Sequence, residues 1–252
     1  MPLYDFSHLT VDRTISPHDT MIVPGREDQY FQLGHRALEL VQFSANLCDK
    51  PHYPHILDFG CSYARVLRWL RPQHHYAHFT ACDLDPEAIA FCAKHWGATP
   101  VLSSPDLTNV KFDQKFDLIW VGSVLTHLDK PQWLKTLDFL IDSLAECGVI
   151  IFTVQGRFFA SALANRQPYI ADDVDKAALL AEFKKEGFAY QNYFNRHDLD
   201  YGISLTSPQW LTAQIEKRTN VILRTYIEES WGMQDVVVLY KTEDYFADVL
   251  GS

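Results

Sequence analysis

The stretch Ile56-Leu57-Asp58-Phe59-Gly60-Cys61-Ser62-Tyr63-Ala64-Arg65 decides the fold. His55 to Phe59 reads as a short apolar strand, and Gly60 ends it. Small residues at 60, 62 and 64 let a backbone turn approach a ligand closely. Tyr63 to Leu70 reads as the start of a helix that Pro72 closes. The free N–H groups of such a helix suit a carboxylate, and Arg65 either adds charge there or lies on the helix surface. Ser62 and Ala64 are small, so close approach survives if their φ stays negative; a site needing positive φ at Ser62 would be strained.

The same rhythm continues downstream. His78 to Cys82 reads as a second strand ending at Asp83, and Asp85-Pro86-Glu87 is a capped helix start whose helix Gly97 terminates. Thr99 to Leu102 reads as a third strand. Phe116 to Val121 is a fourth, so apolar that both its faces should be covered. A helix over Pro131 to Glu146, stopped by Gly148, leads to a fifth strand over Val149 to Val154. Alternating strands and helices predict an α/β fold, doubly wound around a mostly parallel sheet.

Outside that core the pattern changes. Residues 1–35 are polar and form an N-terminal arm or lid, and Arg36 to Leu47 reads as an amphipathic helix. Asp175 to Glu186 is helical, but no strand follows where the alternation wants one. Residues of about 157–200 therefore read as an inserted substrate cap within a domain of residues 36–252. Tyr201 to Leu205 fits a sixth strand, and Ser207-Pro208 caps a helix running to about Arg218. Gln234 to Lys241 fits an antiparallel last strand at the sheet edge.

Composition limits the partners. The 22 Lys and Arg against 32 Asp and Glu give a net charge of −10, which disfavours nucleic acid as a partner. The nearest basic group, Arg65-Arg68-Arg71, has helical spacing and reads as a solvated face. The five cysteines include no CxxC pair, as expected of reduced, buried thiols in a cytoplasmic protein. Met1 to Tyr30 shows no leader pattern, and the apolar runs are of strand length, so no membrane partner is expected. The histidines have no metal-ligand spacing, so no metal is assigned. A homodimer is left open.

In an open parallel sheet, ligands sit beyond the carboxyl ends of the strands. Asp83 ends the second strand, 23 residues after Gly60, close to the interval of about 20 expected of a nucleoside-binding βαβ unit. The segment Asp58 to Ala64 resembles the glycine motif of class I S-adenosylmethionine-dependent methyltransferases, with Ser62 and Ala64 in place of two glycines. Asp83 to Ile89, Phe116 to Trp120, Ser123 to Leu128 and Gly148 to Phe152 resemble further motifs of that family. The wording is most similar to bacterial enzymes acting on small molecules or glycans.

The resemblance implies a Rossmann-like methyltransferase fold with seven strands, and S-adenosyl-L-methionine as cofactor. It implies that Asp58 lies near the donor's amino group and that Gly60 packs its backbone on it; Ser62 and Arg65, from the reading of the turn above, are the other candidate cofactor contacts there. It implies that Asp83 binds the ribose and Leu84 covers the adenine. Asp106 and Leu107 would meet the adenine amino group, and Gly122 and Ser123 would run past the methionine chain. Tyr30 would close over the cofactor, or pack in the core.

Methyl transfer from a sulfonium needs no fixed catalytic constellation. His127 is the candidate base for a hydroxyl acceptor; packing against the cofactor loop is its other reading. Tyr193, Arg196, His197, Asp198, Asp200 and Tyr201 form either a substrate lid or a solvated loop. Trp231 and Gln234 face the pocket or the core. Cys61 has no evident base partner and is not assigned as a nucleophile. The expected acceptor is a small molecule or sugar, methylated at O or N. A non-catalytic cofactor-binding protein is the alternative. A nicotinamide-dependent oxidoreductase is disfavoured by the missing third glycine and the absence of a Tyr-x-x-x-Lys relay.

Overall fold

A computed structural model describes residues 4–165, 174–193 and 201–242. One sheet of seven strands carries the fold, in the order β3-β2-β1-β4-β5-β9-β8. Its strands are β1 (His55–Phe59), β2 (His78–Asp83), β3 (Thr99–Leu102), β4 (Phe116–Val121), β5 (Leu144–Val154), β8 (Val221–Trp231) and β9 (Gln234–Lys241). β1 pairs in parallel with both β2 and β4, so Asp58 stands opposite Ala81 on one side and Trp120 on the other. The strand order reverses between β1 and β4, and the turn after β1 emerges at that switch point. Asp117 at the start of β4 fastens this centre: its carboxylate accepts the His55 N–H at 3.0 Å and pairs with Lys50 at 2.9 Å.

The chain divides into two compact units, Met1–Val121 with Ser143–Val149, and Gly122–Asp142 with Ile150–Ser252. In the first, α1 (Glu27–Leu47) starts earlier than the sequence pattern suggested. Gly34 lets α1 come close: a Cβ there would overlap the Arg65 carbonyl oxygen and the Trp69 ring. α2 (Leu67–Gln73) does not stop before Pro72, which sits inside its last turn, and the ladder passes it through the His74 N–H to the Leu70 carbonyl. α3 (Pro86–Trp96) has the expected punctuation, with the Asp85 carboxylate accepting the Glu87 N–H and Gly97 left-handed at φ 64°.

The second unit holds the larger departures. α4 (Lys130–Ser143) ends sooner than expected, and β5 begins at Leu144, so Gly148 lies within a strand. α5 (Arg157–Asn165) was not foreseen. α6 (Lys176–Glu186) was, down to its Asp175 cap. β6 (Phe188–Asn192) fills a place read as strandless. It pairs antiparallel with β7 (Gly202–Thr206) in a separate two-stranded sheet, so the Tyr201 to Leu205 run is a strand but not the sixth of the main sheet. These elements share a small core of Phe159, Leu163, Leu179, Ala189, Ile203 and Leu205. After α7 (Pro208–Ile215, capped by Ser207), β8 takes the sheet edge, and β9 lies inside it rather than at the edge. The reason is burial: Asp235 to Leu239 of β9 are buried, whereas β8 is half-exposed along most of its length. No helix among the described residues is long and apolar enough to cross a membrane.

Candidate functional site

The turn after β1 is held in an unusual conformation. Gly60, Ser62 and Ala64 all have positive φ, at 76°, 43° and 67°. Ser62 and Ala64 therefore adopt the left-handed backbone that glycine tolerates best, the strained case named for Ser62. A non-glycine residue held in this region costs on the order of 1–3 kcal/mol. Neighbouring groups restrain it. The Ser62 N–H donates to Asp83 Oδ2 at 2.7 Å, and Asp83 Oδ1 accepts the Asp85 N–H at 3.1 Å. The Gly60 N–H donates to the Cys82 carbonyl at 2.8 Å. Asp83 thus ties the first turn to the second while each carboxylate oxygen retains lone pairs for further donors. Burial raises its pKa above the ordinary carboxylate value.

Arg68 does most of the remaining work. It is fully buried, which overturns its reading as part of a solvated arginine face. Its Nε donates to the Ala64 carbonyl at 2.9 Å, and Nη2 donates to the Tyr63 carbonyl at 3.0 Å and to Tyr30 Oη at 3.4 Å. Nη1 donates to the Asp12 and Thr14 carbonyls at 3.3 and 3.0 Å. All five N–H groups are therefore used. The N-terminal arm folds back onto the turn and encloses a guanidinium that helical spacing alone would leave in water.

Asp58 lies beneath this turn, 2% exposed, and its Oδ2 has no hydrogen-bond partner among the described residues. Burial, with the nearby Asp83 charge, pushes its carboxyl up to about 7. Tyr30 is buried with its hydroxyl 3.4 Å from the Tyr63 carbonyl, which it donates to, and the Arg65 guanidinium lies 5.9 Å from its ring centre. Burial raises the Tyr30 phenol and lowers Arg65. Leu84 is exposed beyond β2, and Leu102, which sequence reading passed over, is exposed opposite Asp83 in the β2–β3 register. Asp106 caps a short 3-10 helix, Leu107–Asn109, accepting the Thr108 N–H at 3.1 Å and Asn109 Nδ2 at 3.3 Å; Leu107 is half-buried. The Cys61 thiol is buried 3.9 Å from that of Cys92, which together with burial raises it well above its usual value, as befits an inert thiol.

The second unit has its own polar group beyond β4. Gly122 is half-buried, and Ser123 has φ 60°. The Ser123 N–H donates to Thr153 Oγ1 at 2.8 Å, and Gln234 Nε2 donates to Ser123 Oγ at 2.9 Å. Thr153 in turn donates its hydroxyl proton to Gln234 Oε1. Trp231 is buried. His127 ends a short 3-10 helix, and its Nδ1 lies 2.7 Å from the Gly202 carbonyl. A carbonyl only accepts, so Nδ1 carries the proton and the basic lone pair of the neutral ring is on Nε2. Tyr201 stacks on the imidazole, centroids 4.3 Å apart, and Tyr193 is tilted at 6.3 Å. Arg196, His197, Asp198 and Asp200 lie outside the described residues.

These features can be set beside known proteins. The model of a methyltransferase domain family matches residues 57–150. No curated protein matches the sequence. Among solved structures, an S-adenosylmethionine-dependent methyltransferase from Clostridium acetobutylicum is 13% identical, with a TM-score of 0.56, covering 86% of this chain and 92% of its own. CalS10, an amino pentose methyltransferase from Micromonospora echinaspora solved with S-adenosylmethionine bound, is 12% identical, with a TM-score of 0.57 over 88% and 98%. The N-methyltransferase NodS from Bradyrhizobium japonicum, solved with S-adenosyl-l-homocysteine, is 14% identical, with a TM-score of 0.51 over 92% and 94%. The seven-stranded, Rossmann-like methyltransferase fold expected from the sequence is the fold observed.

Proposed function

We propose, from the premise that residues 57–150 are an S-adenosylmethionine-dependent methyltransferase domain, that the protein methylates a hydroxyl or amine of a small-molecule or sugar acceptor. The observation that carries this reading is Asp58: a buried carboxylate oxygen lacking a partner, beneath a turn strained into a ligand-cradling shape. An unpaired buried carboxylate is costly, and an ammonium group satisfies it. The residues present therefore fit the donor.

In this reading Asp58 takes the donor's amino group and Arg65 its carboxylate. Gly60 and Ser62 pack their backbone on it, and Asp83 accepts the ribose hydroxyls. Leu84, with Leu102, covers the adenine, and Asp106 and Leu107 flank it. Gly122 and Ser123 line the methionine chain with backbone. When bound, S-adenosylmethionine supplies a sulfonium methyl whose departure leaves a neutral thioether, so the chain must supply position and a dry site rather than charge stabilisation. His127 holds its basic lone pair at Nε2 and takes the acceptor's proton. Tyr193 and Tyr201 flank it as aromatic faces for a sugar or other apolar-faced acceptor. The segment at about 157–200 caps that acceptor. The charge of −10 and the amino pentose specificity of CalS10 support a small, neutral or cationic acceptor.

The test is release of S-adenosylhomocysteine across a panel of sugars, amines, alcohols, protein and nucleic acid. Turnover with a sugar or small molecule is expected; turnover on nucleic acid or protein alone would overturn the acceptor class. His127→Asn is expected to lower kcat by about a hundredfold or more while donor affinity holds. An unchanged kcat would remove His127 as base.

A further inference from the structure

β7 reads Gly202-Ile203-Ser204-Leu205-Thr206, and its alternation has two uses. Ile203 and Leu205 face the small core with Phe159 and Leu179. Ser204 turns to the other face, where it is 1% exposed and donates its hydroxyl to the Leu125 carbonyl at 2.8 Å. The Tyr193 N–H donates to the Tyr201 carbonyl at 3.1 Å, so Asn192 and Gly202, opposite each other in the register, are a non-hydrogen-bonded pair. The Gly202 carbonyl therefore points away from β6, and His127 Nδ1 lies 2.7 Å from it. Leu125 and His127 are the two ends of the short 3-10 helix after β4. β7 thus holds both ends, and Tyr201 stacks on the imidazole with 17° between the planes. All these residues lie in the second unit. Gly202 has no room for a side chain: a Cβ there would overlap the Gln191 carbonyl oxygen and the Tyr190 ring.

A neutral imidazole can carry its proton on either nitrogen, and a hydrogen-bond acceptor at one of them decides which. A base works only when its lone pair sits on the nitrogen that meets the acceptor and is held in line with it. The 3-10 helix cannot secure this alone. It is three residues long, with no side-chain cap at its start. Its own bonds are the Thr126 hydroxyl to the Ser123 carbonyl and the His127 N–H to the Val124 carbonyl, and neither touches the ring. We propose that β7 is the positioning strand of the base: Ser204 seats the helix that carries His127, and the Gly202 carbonyl selects the tautomer with its lone pair on Nε2. Ser204 and Gly202 are positioning residues, acting through His127. This inference rests on the reading of His127 as the base.

Nitrogen NMR of protein carrying isotope-labelled histidine reads the tautomer directly, with His127 identified by the signals missing from His127→Asn. In the neutral ring Nε2 is expected downfield, as an unprotonated nitrogen, and Nδ1 upfield. Ser204→Ala removes the seat and is expected to mix the two tautomers. It should also lower kcat by about tenfold or more with the acceptor of the panel that turns over fastest, because a base slightly out of line loses its alignment. S-Adenosylhomocysteine affinity should stay within about twofold of the unsubstituted protein. A protonated Nε2 in the unsubstituted protein would overturn the inference. So would a Ser204→Ala protein that keeps a single tautomer or its full kcat, since a merely structural serine would cost stability alone. Ser204→Cys, close in size and a weaker donor, gives the same reading should Ser204→Ala fail to fold. If His127→Asn keeps full kcat, or no small molecule of the panel turns over, the proposed function fails and this inference falls with it. Those two outcomes are read from His127→Asn and the panel, not from Ser204.

Discussion

The turn after β1 and the turn after β4 hold non-glycine residues in the left-handed region by different means. At the first, Ser62 and Ala64 are restrained by ionic groups: the Asp83 carboxylate on the Ser62 N–H, and the buried Arg68 guanidinium on the Tyr63 and Ala64 carbonyls. At the second, Ser123 is restrained by a neutral ring of hydroxyls and an amide, from Thr153 and Gln234. Charged restraints in a buried place bring displaced acidities, and Asp83 and its neighbour Asp58 show them. Neutral restraints satisfy one another. The first turn is therefore held by ionisable groups, and the second is not.

Removing Arg68 should break the first turn most severely. Arg68→Met withdraws the guanidinium donors from the Tyr63 and Ala64 carbonyls and releases the arm, so a stability loss of about 3–5 kcal/mol is expected in urea denaturation. Gln234→Ala at the second turn removes neutral hydrogen bonds only, and about 1–2 kcal/mol is expected.

Acidity should separate the turns next. The Asp58 carboxyl is raised from its ordinary 3.8 to about 7, so between these values the folded protein holds a proton that the unfolded chain has lost. Its contribution is complete below about pH 4 and is lost as pH rises through 7, by on the order of 4 kcal/mol. Asp58→Asn should flatten this part of the stability profile. An ammonium partner favours the carboxylate, so donor binding should release a proton and tighten as pH rises from 6 to 8. Calorimetry in buffers of different ionisation enthalpy reads that proton directly.

Glycine substitutions give the smallest effect and the clearest contrast. Ser62 hydrogen-bonds through its backbone, so Ser62→Gly relieves strain and should raise stability by about 1 kcal/mol. Ser123→Gly relieves similar strain but deletes the hydroxyl that Gln234 binds, so thermal denaturation should show no gain.

The sequence was most legible where local chemistry decides structure. The Asp85 cap, Pro86 at the helix start and left-handed Gly97 mark α3 without help from distant residues. β1 and β4 are apolar because they lie at the sheet centre. β8 was not legible: Arg224, Glu228 and Glu229 interrupt its apolar pattern, it is an edge strand, and its register with β9 shifts twice. β6 is five residues long and only half-buried at its end, so its pairing with β7 supplies what its own pattern lacks. Within the site, Asp58 and Asp83 announce themselves through position in the motif. Arg68 does not, because its burial depends on an arm more than 50 residues away in sequence. A helical repeat of arginines looks the same in water as under a folded-back segment.

The central claim is that the first turn is shaped for an S-adenosyl ligand. Isothermal titration of the purified protein with S-adenosylhomocysteine, and with NAD as comparison, tests it most directly. Saturable binding of S-adenosylhomocysteine, lost in Asp83→Ala, with no heat from NAD, is the expected result. Absence of S-adenosylhomocysteine binding from pH 6 to 8 would contradict the account.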